Sequence, residues 1–441
     1  SYYASLSAAA SNLSSGDTLR LLKDCASPLS VSATDITIDL NGKTINSGSG
    51  KTCLAIAQSG NADNVVRIEN GVLKSEGGAP CIEARGNTAS AVTLKLANLQ
   101  LSSADPSAPL LELGVGARVK DTSVNAAYVM NGGFAVGGFL YGYPATAVKH
   151  ADGQDIKLVN DYVGGLQLFD SNTGVSKAVF DLNGKTYAYE ISADPSWGVL
   201  DCVKDNCSVT VKNGSIDAGK APVLLVFGNG SSFVFNNMRL SSDNSQGIAV
   251  NGSTQTSSAS VQLMNSSLSM TKQEGNVGIY FPARNGSLVI DNSSVVAHTG
   301  VQVCSGSLTV VGDKTSIIAT GSPVTKTEND GPVFDGAAAV VGEVDAGRRL
   351  RQYIRRGGYR LQTGGLHHLC GRVVGRRHRA HHTAATHGGI VDDAGGGQLL
   401  VGLHDDLAVR RFDLGVVQGD LLHSAHHAAG LDHIPDAEGA G

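Results

Sequence analysis

The chain has 441 residues, a net charge of −5, 17% charged residues and 5% aromatic residues. This charge balance excludes the basic footprint of a nucleic-acid-binding protein, and no apolar stretch is long enough to predict a membrane-spanning helix. The length allows two or three ordinary domains or one long repetitive domain.

The first predicted element is a short helix near the amino terminus, because four apolar residues recur there at helical spacing. They are Tyr3, Leu6, Ala10 and Leu13. A predicted strand follows in "SSGDTLRLLKD" (14–24), and a turn signal follows in "DLNGKT" (39–44). We therefore predict a capping helix that leads into a strand, a loop and a second strand.

This unit occurs a second time. "PATAVKHA" (144–151) begins with a proline, which suits the first turn of a helix. "ADGQDIKLVND" (151–161) matches the first strand segment, and "DLNGKT" returns at 181–186. The repeated string predicts two starts of a duplicated module, with "GGFAVGG" (132–138) as a flexible connection before the second start.

A finer repeat of eight-residue segments lies inside both units. Each segment has apolar residues at its third and eighth positions, and the alternation along it is typical of a strand. The fifth position is Asn in six segments and Asp in one. The segments are 66–73, 94–101, 117–124, 209–216, 233–240, 261–268 and 288–295.

Consecutive segments begin 23–28 residues apart, except for one gap between 117 and 209. Repeats of this length predict a solenoid, a propeller or an array, but a propeller blade needs four strands in about 40 residues. One short strand with turns per repeat suits a parallel β-helix, whose connections are normally right-handed. The predicted fold class is all-β, a right-handed parallel β-helix solenoid with a short amino-terminal capping helix and an irregular carboxyl-terminal tail.

The fifth position of the segments has a predicted structural role. Asn tolerates the left-handed backbone angles of a corner between strands, and stacked Asn side chains can hydrogen-bond as a ladder. We interpret the row as this internal turn ladder, and the alternative is a sugar-binding stripe. The row consists of Asn70, Asn98, Asp121, Asn213, Asn237, Asn265 and Asn292.

The string "GDTLRLLKD…ITIDLNGKTI" (16–45) resembles the opening of right-handed β-helix modules in secreted and wall-attached bacterial surface proteins. These modules belong to the broad pectin-lyase-like fold group, and the resemblance covers roughly residues 1–325. It implies a parallel β-helix in an extracellular or cell-wall-attached protein. It does not imply one activity, because the group contains polysaccharide-cleaving enzymes and non-catalytic adhesin-like proteins.

The sequence does not group the residues that enzymes of this fold group use. The resemblance implies an Arg or Lys base near a Ca²⁺-binding carboxylate cluster, or grouped Asp residues. The six Arg of the repetitive region are scattered, so we name no catalytic residue. "ENDGPVFDG" (328–336) carries carboxylates but lacks the ligand spacing of a calcium loop. We predict no metal site and no cofactor, with Ca²⁺ as the one candidate ion.

Five of the seven cysteines have informative spacings. Cys25, Cys53 and Cys81 are 28 residues apart, which matches the repeat, and stacked Cα atoms about 4.8 Å apart are within disulfide range. Cys202 and Cys207 can close a small loop. Two interpretations stay open, namely disulfides of an exported protein or buried free thiols in stacked core positions.

The composition changes near Gly336. The chain has 16 Lys and 6 Arg before this point, no Lys and 12 Arg after it, and no Asn beyond Asn329. "HHLCGRVVGRRHRAHHTAATHGG" (367–389) offers zinc ligands and an arginine patch, but at irregular spacing. We interpret the tail as out-of-frame or antisense translation of GC-rich DNA, with a disordered tail or a metal site as alternatives. We expect the tail to add little to stability.

These observations predict three parts, namely a first module with its cap (1–140), a duplicated module that continues the solenoid (141–325) and the aberrant tail (326–441). We expect a monomeric, non-catalytic scaffold of a bacterial surface protein, whose partner is a glycan or a host or cell-surface ligand, with no nucleic acid and no membrane span. The alternative is a polysaccharide lyase or glycoside hydrolase, because a parallel solenoid brings residues about one repeat apart side by side.

Overall fold

A computed structural model gives the fold of this chain. Strands make up 52% of it, and they form a parallel β-solenoid of about nine turns, so the predicted all-β solenoid is confirmed. Beyond residue 321 the structure describes only the backbone of seven short strands. Before that point it describes residues 1–58, 63–87, 92–120, 131–191, 196–250, 257–270, 275–303 and 305–321.

Two short α-helices occur in the described residues, and each precedes one copy of the repeated motif. Helix α1 covers Leu6–Ala10, and the Ser5 hydroxyl caps it by accepting a hydrogen bond from Ala8 N at 3.2 Å. Helix α2 covers Pro144–His150, with Pro144 in its first turn, where the missing N–H has no cost. Both helices lie where the spacing predicts them.

The strands are short, with two to thirteen residues each. As far as the second copy of the motif they are β1 Thr18–Arg20, β2 Leu29–Val31, β3 Ile36–Asp39, β4 Thr44–Ser49, β5 Leu54–Ala57, β6 Asn64–Glu76, β7 Ile82–Arg85, β8 Val92–Ser103, β9 Leu111–Leu113, β10 Ala117–Val119, β11 Phe134–Val136, β12 Phe139–Tyr141, β13 Asp155–Leu158, β14 Tyr162–Gly164, β15 Phe169–Asp170, β16 Lys177–Asp181 and β17 Thr186–Tyr189.

The later strands are β18 Leu200–Cys202, β19 Ser208–Asp217, β20 Leu224–Val226, β21 Ser231–Ser241, β22 Gln246–Val250, β23 Ala259–Met264, β24 Ser267–Met270, β25 Val277–Phe281, β26 Ser287–Asp291, β27 Ser294–Ala297, β28 Thr299–Val303, β29 Ser307–Val311, β30 Ser316–Ala319, β31 Val324–Glu328, β32 Gly331–Asp335, β33 Ala339–Val341, β34 Arg360–Gln362, β35 Leu366–His368, β36 Arg376–Arg377 and β37 Val401–Gly402. A single turn of 3-10 helix covers Ser171–Thr173.

The chain divides into two compact units, which we call unit 1 (1–166 with 178–187) and unit 2 (167–177 with 188–441). The module boundaries predicted from the sequence repeat, at residues 140 and 325, stay a prediction.

Unit 1 begins as a parallel coil. Strands β1, β3, β6, β8 and β10 stack in parallel, and β2, β5, β7 and β9 stack in a second sheet. Inward-facing aliphatic side chains lie in register from turn to turn, and one such stack is Ile36, Val66, Leu94 and Val119. Each of the four is at most 2% exposed, so the stack forms part of the core of unit 1.

The first "DLNGKT" string closes a hydrogen-bonded corner. Asp39 Oδ1 accepts a hydrogen bond from Asn41 N (2.9 Å), and Asn41 Nδ2 donates to Leu21 O (3.0 Å). The preceding strand segment ends in Asp24, whose Oδ1 accepts from Thr44 N (2.8 Å). The polar residues of the string therefore satisfy backbone groups that the corner would otherwise leave unpaired.

The second string makes the same bonds. Asp181 Oδ1 accepts from Asn183 N (2.9 Å), Asn183 Nδ2 donates to Leu158 O (3.4 Å), and Asp161 Oδ1 accepts from Thr186 N (2.8 Å). In both strings the Asn and the following Gly have positive φ, between +51° and +77°. The string is repeated because one corner geometry, built twice, needs these residue types at these positions.

The direction of the strands reverses between the two copies. Strand β10 pairs antiparallel with β12, β12 with β11, and β11 with β13. Three antiparallel pairings in succession make β13 run opposite to β10, while β13 and β16 pair in parallel. Within unit 1, the second copy therefore begins a coil of opposite strand direction and is not the next turn of the first coil.

A hairpin of β11 and β12 produces this reversal. Gly137 and Gly138 connect the strands with φ of +59° and +77°, as a two-residue type I′ turn requires. The predicted flexible connection 132–138 is therefore wrong, since it contains strand β11. Phe134 of the hairpin packs its ring against Tyr162 and Tyr187, with both centroid distances at 6.4 Å, and this cluster closes the start of the second coil.

Unit 2 contains a longer parallel coil. One sheet stacks β15, β18, β20, β22, β25 and β28, and β19, β21, β23, β26 and β29 stack in parallel on another face. An in-register stack of buried residues again forms the core. It consists of Val209, Phe233, Val261, Leu288 and Leu308.

The tail adds three short strands to unit 2. Strand β33 pairs in parallel with β28, β34 with β30, and β35 with β33. Backbone pairing of this kind needs extended residues in register and no particular side chains, so these strands do not require the alternating apolar positions of the earlier turns. The frame-error interpretation rests on composition and stays a prediction, since most of 337–441 lies outside the described residues.

Replacing Asp161 by Ala is expected to lower the free energy of unfolding by about 1 kcal/mol, because Thr186 N loses its acceptor. Asp161→Asn keeps a side-chain oxygen at the same place and is expected to cost less. Urea denaturation of both variants measures the difference. Equal losses would show that the hydrogen bond to Thr186 N does not stabilise the corner.

Candidate functional site

The asparagine row predicted from the sequence lies at corners of both units. Six of its residues have positive φ, between +45° and +63°, and this left-handed backbone turns one strand into the next. They are Asn70, Asn98, Asn213, Asn237, Asn265 and Asn292. The seventh, Asp121, lies outside the described residues.

Side-chain amides of the row connect successive turns. Asn98 Nδ2 donates to Asn70 Oδ1 at 3.2 Å, and Asn70 Nδ2 donates to Asp39 Oδ1 at 3.2 Å. Asn237 Nδ2 donates to Asn213 Oδ1 at 3.1 Å. These bonds use the amide groups within the corners, so we retain the interpretation of a turn ladder over that of a sugar-binding stripe.

A second ladder, built from hydroxyl groups, continues the corners of unit 2. Met238 N donates to Ser266 Oγ (3.0 Å), Ser266 N donates to Ser293 Oγ (2.9 Å), and Ser293 N donates to Thr315 Oγ1 (3.4 Å). Ser266, Ser293 and Thr315 are all buried, and each accepts a backbone N–H from the turn before it. This ladder was not predicted from the sequence, although Ser follows Asn in two of the repeated segments.

The cysteines of the first module are free thiols in the structure. Cys53 and Cys81 stack in register, because each immediately precedes a residue of the Leu54–Ile82 pair. Their thiols share a hydrogen bond, which together with burial raises the pKa of Cys53 above its ordinary value. Cys25 does not join the stack and pairs with Ile45.

Cys202 and Cys207 are also buried free thiols, and both donate to Lys204 O, at 3.0 and 3.1 Å. Burial raises the pKa of Cys202 to about 12. The choice between disulfides and buried free thiols at these five positions stays a prediction, because the same neighbouring pairs, Cys53 with Cys81 and Cys202 with Cys207, suit either. Cys304 and Cys370 lie outside the described residues.

A row of outward-facing residues runs along one sheet of unit 2. It alternates with the buried inward residues of strands β15, β18, β20, β22, β25 and β28, and its members are paired in register. We call it the outer row. It consists of Asp170, Asp201, Leu225, Ala249, Tyr280 and Gln302.

Two carboxyl groups lie side by side at the start of the outer row. Asp170 and Asp201 are paired on neighbouring strands, whose spacing is about 4.8 Å. Asp170 is half-buried, and its Oδ1 accepts a hydrogen bond from Asn172 N (2.8 Å), as the cap of the 3-10 turn. Asp201 is only 7% exposed. The carboxyl group of Asp170 therefore accepts a backbone hydrogen bond, and that of Asp201 lies in a more buried environment.

The environment of Asp201 disfavours its charged form. Burial, and after it the charge of Asp170, raises the pKa of Asp201 to about 7. Hydrogen bonds from the Gln167 side chain and from the Cys202 backbone to this carboxyl group lower its pKa and oppose the shift in part, and Gln167 Nε2 also donates to Gly198 O at 3.1 Å. Asp201 Oδ1 is buried and has no hydrogen-bond partner among the described residues. A buried polar atom without a partner is costly, which makes it a candidate ligand contact.

Two aromatic residues complete this cluster. Trp197 Nε1 donates to Tyr189 Oη at 2.8 Å, which fixes the indole, and the Trp197 side chain is 46% exposed. Burial raises the pKa of Tyr189, and the charge of Asp201 adds to this shift, so the phenol lies near that carboxyl group. We call Gln167, Asp170, Tyr189, Trp197 and Asp201 the candidate site.

This cluster was not predicted from the sequence, because its members are far apart in the chain and belong to no repeated motif. One signal was present in "WGVLDC" (197–202), where an aspartate stands inside an apolar strand segment three residues after the chain's single tryptophan. An acidic residue in such a segment is rarely buried unless it has a partner or a function.

Within the described part of the chain, no group of three or more His, Cys, Asp or Glu residues could hold a metal ion. The candidate Ca²⁺ segment 328–336 has described backbone in β31 and β32, but its side chains lie outside the description. No described helix is long and apolar enough to cross a membrane. No family model, curated protein or solved structure matches the chain.

Asn237 tests the role of the corner backbone, where φ is +56°. Asn237→Ala is expected to destabilise unit 2 by about 1 kcal/mol more than Asn237→Gly, because Gly adopts a positive φ without strain and Ala does not. Both variants lose the amide bond to Asn213, so their difference isolates the backbone term. Chemical denaturation that found Gly the less stable of the two would contradict this explanation.

Asp201 predicts a pH-dependent stability. Because its folded pKa of about 7 lies above its unfolded value, the folded state keeps a proton that the unfolded chain releases. The contribution of this proton to the free energy of unfolding is therefore complete below about pH 4 and is lost as the pH rises through 7. Asp201→Asn should remove this dependence and be more stable than the wild type at pH 8, by roughly 1–4 kcal/mol.

Urea denaturation between pH 4 and pH 8, followed by the fluorescence of Trp197, measures this effect beside the site. Asp313→Asn, at an exposed aspartate of unit 2, is the control and should leave the pH profile unchanged. A wild-type profile that Asp201→Asn does not flatten would show that Asp201 is ionised throughout this range.

Proposed function

We propose that this chain is a non-catalytic β-solenoid scaffold of a bacterial surface protein, extracellular or attached to the cell wall, that contacts glycans through the candidate site. The observation that carries the proposal is the half-exposed indole of Trp197, fixed by Tyr189 beside the paired carboxyl groups of Asp170 and Asp201.

Sugar rings present apolar C–H faces and a rim of hydroxyl groups. A fixed aromatic face receives the first, and a few oriented polar groups receive the second. Trp197 supplies the face, while the two carboxyl groups paired on neighbouring strands supply hydrogen-bonding groups. Asp201 Oδ1, which has no partner among the described residues, gains one when a hydroxyl group donates to it.

The solenoid suits a scaffold. Each turn pairs with its neighbours in register, so the coil extends a regular surface and its stability grows turn by turn. Within the outer row only the two ends, Asp170 and Gln302, are partly exposed, whereas Asp201, Leu225, Ala249 and Tyr280 are buried. Contact with a glycan is therefore proposed at the end of the row that holds Asp170, beside the exposed indole of Trp197.

A second candidate function, glycoside hydrolysis, is favoured by the carboxyl pair. Hydrolases use one protonated and one ionised carboxyl group, and burial raises the pKa of Asp201, the more buried member of the pair, to about 7. Asp201 would then act as the acid. We rank this function second because the carboxyl pair is the one feature that favours it, whereas the fixed indole of Trp197 serves contact with a sugar whether or not a bond is cleaved.

Trp197→Ala is expected to weaken binding of soluble neutral hexasaccharides at least tenfold, because the variant loses the aromatic face. Calorimetric titration against xylose, glucose and N-acetylglucosamine hexamers measures the dissociation constants. Tyr2→Ala is the matched control, since Tyr2 is an exposed aromatic residue of unit 1. Binding that is absent for every hexamer, or that Tyr2→Ala weakens as much as Trp197→Ala, would contradict the proposal.

The same samples distinguish scaffold from enzyme. We expect no unsaturated products from polygalacturonate, with or without Ca²⁺, and no new reducing ends from the neutral hexamers. Release of reducing ends that disappears in Asp201→Asn and in Asp170→Asn would establish the hydrolase instead.

A further inference from the structure

We propose that the candidate site selects glycans that carry free amino groups. The inference rests on the proposed function, and it adds the chemical class of the ligand. It follows from the charge of the site, from one buried oxygen atom and from the aromatic residues beside it.

The charge of the site is negative. Asp170 and Asp201 are paired on adjacent strands, and the titratable groups that face Asp201 are Asp170 and Tyr189. Lys204, which follows β18, directs its Nζ to Gly174 O at 3.1 Å. An ammonium group between the two carboxyl groups would be attracted by both, whereas the carboxylates of a uronic-acid polymer would be repelled.

The unpartnered oxygen fits the same group. Asp201 Oδ1 is buried without a hydrogen bond, and an ammonium group has three donors and no acceptor. A charge-assisted bond from an ammonium nitrogen to this oxygen is about twice as strong as the bond from a neutral hydroxyl group. An amino sugar therefore satisfies Asp201 better than its neutral counterpart.

The aromatic residues support a cationic ligand as well. The faces of Trp and Tyr rings attract cations, and Trp is the strongest of these side chains. Trp197 is half-exposed, so the face that receives a sugar ring also favours a positive charge on it, whereas Tyr189 is only 2% exposed and serves to hold the indole.

Ammonium binding is linked to the protonation of Asp201. A cation beside the carboxyl group favours its ionised form, so binding at pH 6 releases the proton that Asp201 holds in the free protein. A neutral sugar has no such effect. Proton release therefore distinguishes recognition at Asp201 from general attraction of a polycation to a protein of net charge −5.

The experiment compares two hexamers with one backbone. β-1,4-linked glucosamine hexamer and its fully N-acetylated form are titrated into the full chain by calorimetry at pH 6, in two buffers of different ionisation enthalpy. We expect the glucosamine hexamer to bind at least tenfold more tightly and to release protons. Asp201→Asn and Asp170→Asn should each reduce this preference at least tenfold, and Asp313→Asn should leave it unchanged.

The outcomes distinguish failure of the amino-sugar inference from failure of the proposed glycan contact. If both hexamers bind equally and Trp197→Ala weakens both, the amino-sugar inference is wrong and glycan contact stands. If the preference persists in Asp201→Asn and Asp170→Asn, or falls equally in Asp313→Asn, it does not arise at this site and the inference is wrong. If neither these hexamers nor the other neutral hexamers bind, both proposals fail. Circular dichroism verifies that each variant is folded, and the fluorescence of Trp197 verifies it for every variant except Trp197→Ala.

Discussion

The corner between strands is the constraint on which this structure depends. A parallel coil must change direction several times in each turn, and at each corner the backbone needs a residue that adopts a positive φ and a partner for the N–H groups left out of the sheets. Asn at φ between +45° and +63° provides the first, and in unit 2 the hydroxyl of the residue after Asn provides the second. The Asn side chains bond to one another from turn to turn. Because these bonds run to the neighbouring turn, each corner fixes the register of the next, and the inward aliphatic stacks follow from that register.

The same constraint explains why the chain spells one string twice. A coil that begins anew needs a cap and a first corner, and both copies supply a short helix followed by Asp, Asn and Thr in identical hydrogen-bonded roles. The hairpin of β11 and β12 reverses the strand direction before the second copy, so the second copy could not use the end of the first coil as its template. Duplication of the starting element is thus a structural requirement of the reversal within unit 1.

Most of the fold could be predicted because it repeats, whereas the candidate site could not. The asparagine position and the alternating apolar positions recur every 23–28 residues, so their physical role shows as periodicity. Asp170 and Asp201 are 31 residues apart and become neighbours only through the register of β15 and β18. Cys25 shows the opposite error. Its equal spacing predicted that it would stack on Cys53, but the loop lengths differ between turns. Leu29 pairs with Leu54, so the residue that lies in register with Cys53 is Pro28.

A buried carboxyl group beside a second carboxyl group destabilises the turn that holds it, and the solenoid explains how such a group persists. In a globular core the cost of an unpartnered Asp201 Oδ1 would act on the whole cooperative unit. In a stack of turns, stability is approximately a sum of local terms, so the flanking turns keep their own register and core. Asp201 is followed in the outer row by Leu225, Ala249 and Tyr280, which form a hydrophobic cluster of their own and support the sheet behind the site. The destabilising effect of Asp201 is therefore confined to one end of the outer row. At this end the half-exposed Trp197 and the partly exposed Asp170 contact solvent, and a ligand that bonds to Asp201 would remove the effect.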